Sequence, residues 1–162
     1  MVCTSGAEGI LQLLPESSFG PEKRLLLLGE QLQQLALLGR GSTGLEQEIR
    51  SALASSPFSD GIRLMLWNTL AEAKNLQGQY PEVIEVTKKA IAIAGASASA
   101  FEKARAWRAQ GSAWLNLGQI SRAADAFEEA AQALDTDESP LRETSGVLLL
   151  MDLGNLAMQQ GD

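Results

Sequence analysis

Gly39-Arg40-Gly41-Ser42-Thr43-Gly44 spells G-x-G-x-x-G, the pattern of a loop that cradles phosphates. Such a loop works only between a strand and a helix, where backbone amides converge on the anion. Leu32, Leu35, Leu37 and Leu38 precede it with helical spacing, so the stretch reads as a helix stop followed by a helix start. Asp135-Thr136-Asp137-Glu138-Ser139 opens like a calcium loop, but Pro140 stands where the sixth-position glycine is needed and Gly146 where the bidentate glutamate is. It reads as an acidic connection whose Ser139 caps the next helix. Asp125, Glu128 and Glu129 fall on an exposed helix face and need no catalytic role. Cys3 is the single cysteine, which excludes an internal disulfide and a four-cysteine metal site. The chain has no histidine, which removes the commonest general base, the Ser-His-Asp and Cys-His arrangements and every zinc site built on imidazole. No nucleophile–base set remains, and the expectation is a protein without catalytic residues, metal or cofactor. Arg105 and Arg108, three apart, share a helix face and could hold a carboxylate between them.

Those residues need a scaffold, and the composition specifies a helical one. Apolar residues make up 45 % and charged residues 20 % of 162, enough for a packed core. A net charge of −7 argues against nucleic acid and anionic membrane surfaces as partners. The longest apolar runs, Leu25–Leu28 and Val147–Met151, are too short to span a bilayer. Met1-Val2-Cys3 lacks the pattern of a signal peptide, lipoprotein anchor or myristoyl signal, so the expected location is the cytoplasm.

No stretch alternates with period two, so no sheet is expected. The leucine and alanine spacing predicts helices near 21–38, 44–55, 61–77, 81–94, 100–117, 120–134 and 140–160, with a short one around Ala7–Leu14. Thr43-x-x-Glu46 and Ser99-x-x-Glu102 read as capping boxes. Pro21, Pro81 and Pro140 suit a first helical turn, and Gly39, Gly78, Gly95 and Gly118 suit C-terminal stops.

Trp107, Gly111, Trp114, Ala123, Phe127 and Ala130 describe two antiparallel helices packed face to face. Small residues sit where the axes approach, with aromatic rings beside them. The stretch resembles a tetratricopeptide (TPR) repeat, W-x2-L-G-x2-Y…A-x3-F…P, with Gln110 in place of the leucine and Asp135 in place of the proline. Forty residues earlier, Trp67, Leu70, Ala71 and Ala90 repeat the pattern, with Lys74 and Thr87 replacing Trp114 and Phe127. Forty-three residues later, Leu150 and Gly154 match Trp107 and Gly111. Gly29 marks a degenerate copy. The organisation expected is an N-terminal segment (1–20), a degenerate helix pair (21–56), a repeat (61–97), the best-matching repeat (99–137) and the first helix of another (140–162). The period exceeds the family's 34 residues, as in some long-repeat relatives such as the helical regulatory domains of bacterial transcription activators. The last copy lacks its second helix, so the expectation is a longer protein, or another subunit that supplies the missing surface.

The resemblance implies an all-α, right-handed superhelix of stacked helix hairpins that binds a peptide or helix in a concave groove. The groove positions carried over are Met65, Asn68, Glu72, Asn75 and Leu76, then Arg105, Arg108, Ser112, Leu115 and Asn116, then Leu148, Met151, Asn155, Met158 and Gln159. Asparagine both donates and accepts, and could hold an extended peptide backbone. Arg105 and Arg108 would favour an acidic partner. Asn68 and Glu72 replace the lysine and asparagine of the family's carboxylate clamp, which disfavours a chaperone tail. The alternative is a regulatory or oligomerisation segment of a larger signalling or transcription-regulating protein, self-associating through its last helix. Trp107→Ala, as a core change, is expected to cost roughly 3–5 kcal/mol.

Overall fold

The computed structural model describes residues 20–55, 58–95, 98–136 and 142–161. Among them are seven helices and no strand: α1 Pro21–Leu37, α2 Thr43–Ser55, α3 Asp60–Leu76, α4 Tyr80–Ile93, α5 Ala100–Asn116, α6 Ile120–Asp135 and α7 Arg142–Gln160. The expected helix at Ala7–Leu14, the Ser139 cap and the Pro140 start lie outside the described residues.

Helices α3 and α5 begin and end 40 positions apart, as do the starts of α4 and α6. Both pairs turn at a glycine with φ +71°, Gly78 and Gly118, a conformation that a Cβ disfavours. Helix α4 ends at Ile93, just before Gly95, as expected of a C-terminal stop, although Gly95 has no positive φ. Pro21 and Pro81 sit in the first turn of their helices, as expected.

Neither expected capping box forms. The amide of Leu45 donates to the Ser42 hydroxyl at 3.4 Å, so Ser42 and not Thr43 caps α2. Ser99 makes no side-chain cap. Glu46 and Glu102 turn instead toward other helices, where a buried cation or amide gives more than an exposed N-terminal amide.

Joined by short turns, α3 packs on α4 and α5 on α6, the latter being the most extensive contact. Helices α1, α3, α5 and α7 also touch in series, and each pair packs on the next. The core runs through Leu32, Ile49, Leu66, Leu70, Val83 and Val86, and continues through Ala123, Phe127 and Ala130 to Leu149 and Leu156. Ala71 and Ala90 are fully buried, while Trp67, Trp107 and Trp114 are half-buried with their rings packed against these clusters. Gly111 is where α5 and α6 approach: a Cβ there would lie 2.5 Å from the Phe127 ring.

The departures from the repeat pattern compensate one another. Gln110 Nε2 donates to Thr87 Oγ1 at 3.1 Å across the α4–α5 interface, so the two substituted positions satisfy each other. Lys74 is almost buried and meets Glu46 of α2, Glu82 of α4 at 3.3 Å and Gln79 Oε1 at 2.7 Å.

Two positions assigned to the repeat core lie elsewhere. Leu150 is 68 % exposed and Gly154 is exposed. Helix α7 turns Ser145, Leu149 and Leu156 inward instead. The matching residues of α5 are covered by α6, whereas no described helix covers this face of α7.

Candidate functional site

A depression of about 420 Å³ opens beside helices α1, α3, α5 and α7. Its lining includes Gln33 from α1, Glu72, Asn75 and Leu76 from α3, Phe101, Arg105 and Arg108 from α5, and Thr144 and Leu148 from α7. Residues one helical turn apart share a face, so each helix contributes from one side.

A charged network forms its floor. Arg105 grips Glu72 with two parallel bonds, Nη2 to Oε2 at 2.9 Å and Nε to Oε1 at 3.1 Å. Its Nη1 also donates to Glu102 Oε1 at 3.0 Å, and its guanidinium stands over the Phe101 ring at 5.7 Å. Gln33 Nε2 donates to Glu72 Oε2 at 3.2 Å, and Asn68 Nδ2 to Glu102 Oε2 at 2.7 Å and to the Glu102 carbonyl at 2.8 Å. Arg105 is held above the ordinary arginine value: burial alone would lower it, but the Glu72 and Glu102 carboxylates together outweigh that. Arg108 Nε lies 2.9 Å from Asp152 Oδ2 in an ion pair between α5 and α7. Burial raises the Asp152 carboxyl above its ordinary value despite the nearby Arg108 cation and the Ser112 hydroxyl.

These pairs bear on the acidic partner expected at Arg105 and Arg108. Both guanidiniums already face carboxylates of this chain: Glu72 and Glu102 for Arg105, Asp152 for Arg108. An incoming carboxylate would have to compete with the carboxylate that each guanidinium already faces.

The other expected groove residues divide. Glu72, Asn75, Leu76 and Leu148 line the depression with the two arginines. Asn68 is 1 % exposed and acts as a tie between α3 and α5, its Oδ1 left without a partner. Leu115 is buried in the core. Asn116 is exposed and bonds its own helix, at the Ser112 carbonyl. Met65 and Ser112 are half-buried, whereas Met151, Asn155, Met158 and Gln159 are exposed on α7 away from the depression. The asparagine row therefore does not assemble. Gln33, Phe101 and Thr144 escaped the sequence reading. Gln33 falls 42 positions before Asn75, and Phe101 and Thr144 lie one turn before Arg105 and Leu148, so register and same-face spacing carried the signal.

Helix α7 also presents an apolar stripe: Val147, Leu150, Met151 and Met158 are 57 %, 68 %, 63 % and 70 % exposed. Among the described residues, no cluster of His, Cys, Asp and Glu could hold a metal ion, and no helix is long and apolar enough to cross a membrane.

Compared with known proteins, the chain matches no family model, no curated protein sequence and no solved structure.

Proposed function

We propose that this chain is a protein-interaction scaffold built as a TPR-like array of stacked helix hairpins, which takes a partner segment in the depression beside α1, α3, α5 and α7. The observation that carries the reading is the lining itself. Polar Gln33, Asn75 and Thr144 stand beside exposed apolar Leu76 and Leu148, over a floor whose charges are already paired. Such a surface suits an extended, uncharged peptide: its backbone finds donors and acceptors, and its apolar side chains find Leu76 and Leu148. The 40-position repeat of helix bounds and of the Gly78 and Gly118 turns favours the hairpin-array reading.

A second reading rests on α7. Large apolar side chains exposed in one stripe mark an assembly surface, and a regulatory or oligomerisation segment would use it. Affinity capture of a partner, followed by hydrogen-exchange footprinting, separates the two. Leu76→Arg or Leu148→Arg should abolish capture if the depression binds, and Leu150→Glu with Met158→Glu should leave it intact. The reverse pattern, or protection confined to α7, overturns the groove reading. Arg105→Glu would be a poor probe, since it sets a carboxylate against Glu72 and Glu102 and threatens the fold.

A further inference from the structure

We propose that the face of Trp107, with Asp125 and Glu129, is a second interaction site that takes the side-chain ammonium of a lysine from a protein partner. It lies on the side of α5 roughly opposite Arg105 and Arg108, given 3.6 residues per helical turn. A cavity of about 460 Å³ there is lined by Trp107, Gln110, Trp114, Arg122, Asp125 and Glu129, among others.

The first unit of the chain shows what such a site holds. Trp67, Glu85 and Lys89 stand 40 positions before Trp107, Asp125 and Glu129. Lys89 Nζ lies 5.4 Å from the Trp67 ring centroid and 2.9 Å from Glu85 Oε1. An ammonium is thus attracted by the ring's negative face and by a carboxylate at once. The second unit keeps the indole and the carboxylate, but Glu129 replaces the lysine, and Glu128 replaces Lys88 beside it. All the Lys and Arg residues of the chain fall within the described segments, and none of them stands over Trp107.

A neighbouring pair of positions gives the contrast. Lys74 meets Glu82 in the first unit, and 40 positions on Arg122 stands over Trp114 at 4.7 Å. There the chemistry is exchanged but the contact is kept within the chain. At Trp107 the chain withdraws its cation and adds a carboxylate. Asp125, Glu128 and Glu129 are all exposed, and Arg122 is the one cation in the lining. The occupant that restores the first unit's arrangement is an ammonium on a flexible aliphatic stem, whose methylenes also cover the indole.

The test is NMR of the three tryptophan indole N–H groups in the full chain, assigned with Trp67→Phe, Trp107→Phe and Trp114→Phe. The probes are a blocked Gly-Lys-Gly peptide and its norleucine counterpart. The Trp107 signal should shift saturably with the lysine peptide and not with norleucine. Asp125→Asn and Glu129→Gln should each weaken the titration about 2- to 5-fold, as exposed ion pairs do. Glu129→Lys tethers an ammonium as Lys89 does; it should move the Trp107 signal without ligand and abolish the titration. Lys89→Glu should open the first unit, so that Trp67 titrates as well. A Trp107 signal that ignores the lysine peptide, responds equally to norleucine, or still titrates in Glu129→Lys overturns the proposal. Leu76→Arg and Leu148→Arg should leave this titration unchanged, so the outcome is independent of the groove.

Discussion

Gly111→Ala tests the packing of α5 on α6 through one methyl group. Inside a helix, replacing glycine by alanine ordinarily gains about 0.5–1 kcal/mol, because glycine loses more backbone freedom on folding. Here the new Cβ would lie 2.5, 2.6 and 3.0 Å from Cε1, Cδ1 and Cζ of Phe127. Carbon atoms prefer about 3.5–4.0 Å, so the ring must retreat by about 1 Å. Phe127 is fully buried, and the ring has nowhere to go without moving a helix. Overpacking costs about 1–3 kcal/mol, and a contact of 2.5 Å against a fully buried ring takes the upper part of that range, about 2–3 kcal/mol, which leaves a net loss of about 1–2 kcal/mol after the propensity gain. In a chain of 162 residues that is a fall of about 2–8 °C in melting temperature. Circular dichroism at 222 nm, with heat and with urea, reads it. Gly29 and Gly154 stand at register-equivalent positions and serve as controls. A Cβ on Gly29 meets its nearest atom at 3.5 Å, ordinary contact, and one on Gly154 meets nothing within 4 Å. Both alanine variants should therefore be stabilised by about 0.5–1 kcal/mol. Phe127→Leu should cost less in the Gly111→Ala background than in wild type, with a coupling above about 0.5 kcal/mol. A Gly111→Ala chain as stable as wild type, or a cycle without coupling, refutes the argument.

Lys74→Met should cost about 3–5 kcal/mol in urea denaturation, because it leaves Glu46 buried without its cation. Adding Glu46→Leu should return much of that; a double variant no better than the single one would remove the pair from the account. Phe127→Ala should cost about 3–5 kcal/mol, while Trp107→Ala, with its ring only half-buried, should fall below that range. Equal losses would contradict the burial difference. Asp152 should titrate above its ordinary value of 3.8 in carboxyl carbon NMR, because burial outweighs the Arg108 cation. The folded chain then holds that proton to higher pH than the unfolded one. Its contribution to stability is fully present below about 3.8 and is lost as pH rises through the folded value. Asp152→Asn should flatten that part of the stability–pH curve, and a midpoint at or below 3.8 would reverse the sign.

Helix existence and helix pairing were legible in the residues because both are local. Leucine spacing, Pro21, Pro81, Gly78 and Gly118 act within a turn or two of the backbone, and the Gly111–Phe127 contact spans only one hairpin. The destinations of the charged and amide side chains were not legible. Glu46 and Glu102 have the spacing of capping-box residues, yet they bind Lys74 and Asn68 of α3, since a capping box offers only a local partner and the folded chain offers a buried cation and a buried amide. Asn68 sits where the pattern puts a groove contact, but α5 arrives over it with Glu102. Arg105 and Arg108 share a helix face as their spacing requires, and only the arrival of Glu72 from α3 and Asp152 from α7 decides that they are neutralised. Leu150 carries the pattern of a core residue, but its burial depends on a covering helix, as α6 covers Trp107, and not on its own turn. The sequence by itself thus determined the helices, their register and the close approach at Gly111. The tertiary structure decided which charges meet and which faces stay open, because those depend on helices distant in the chain.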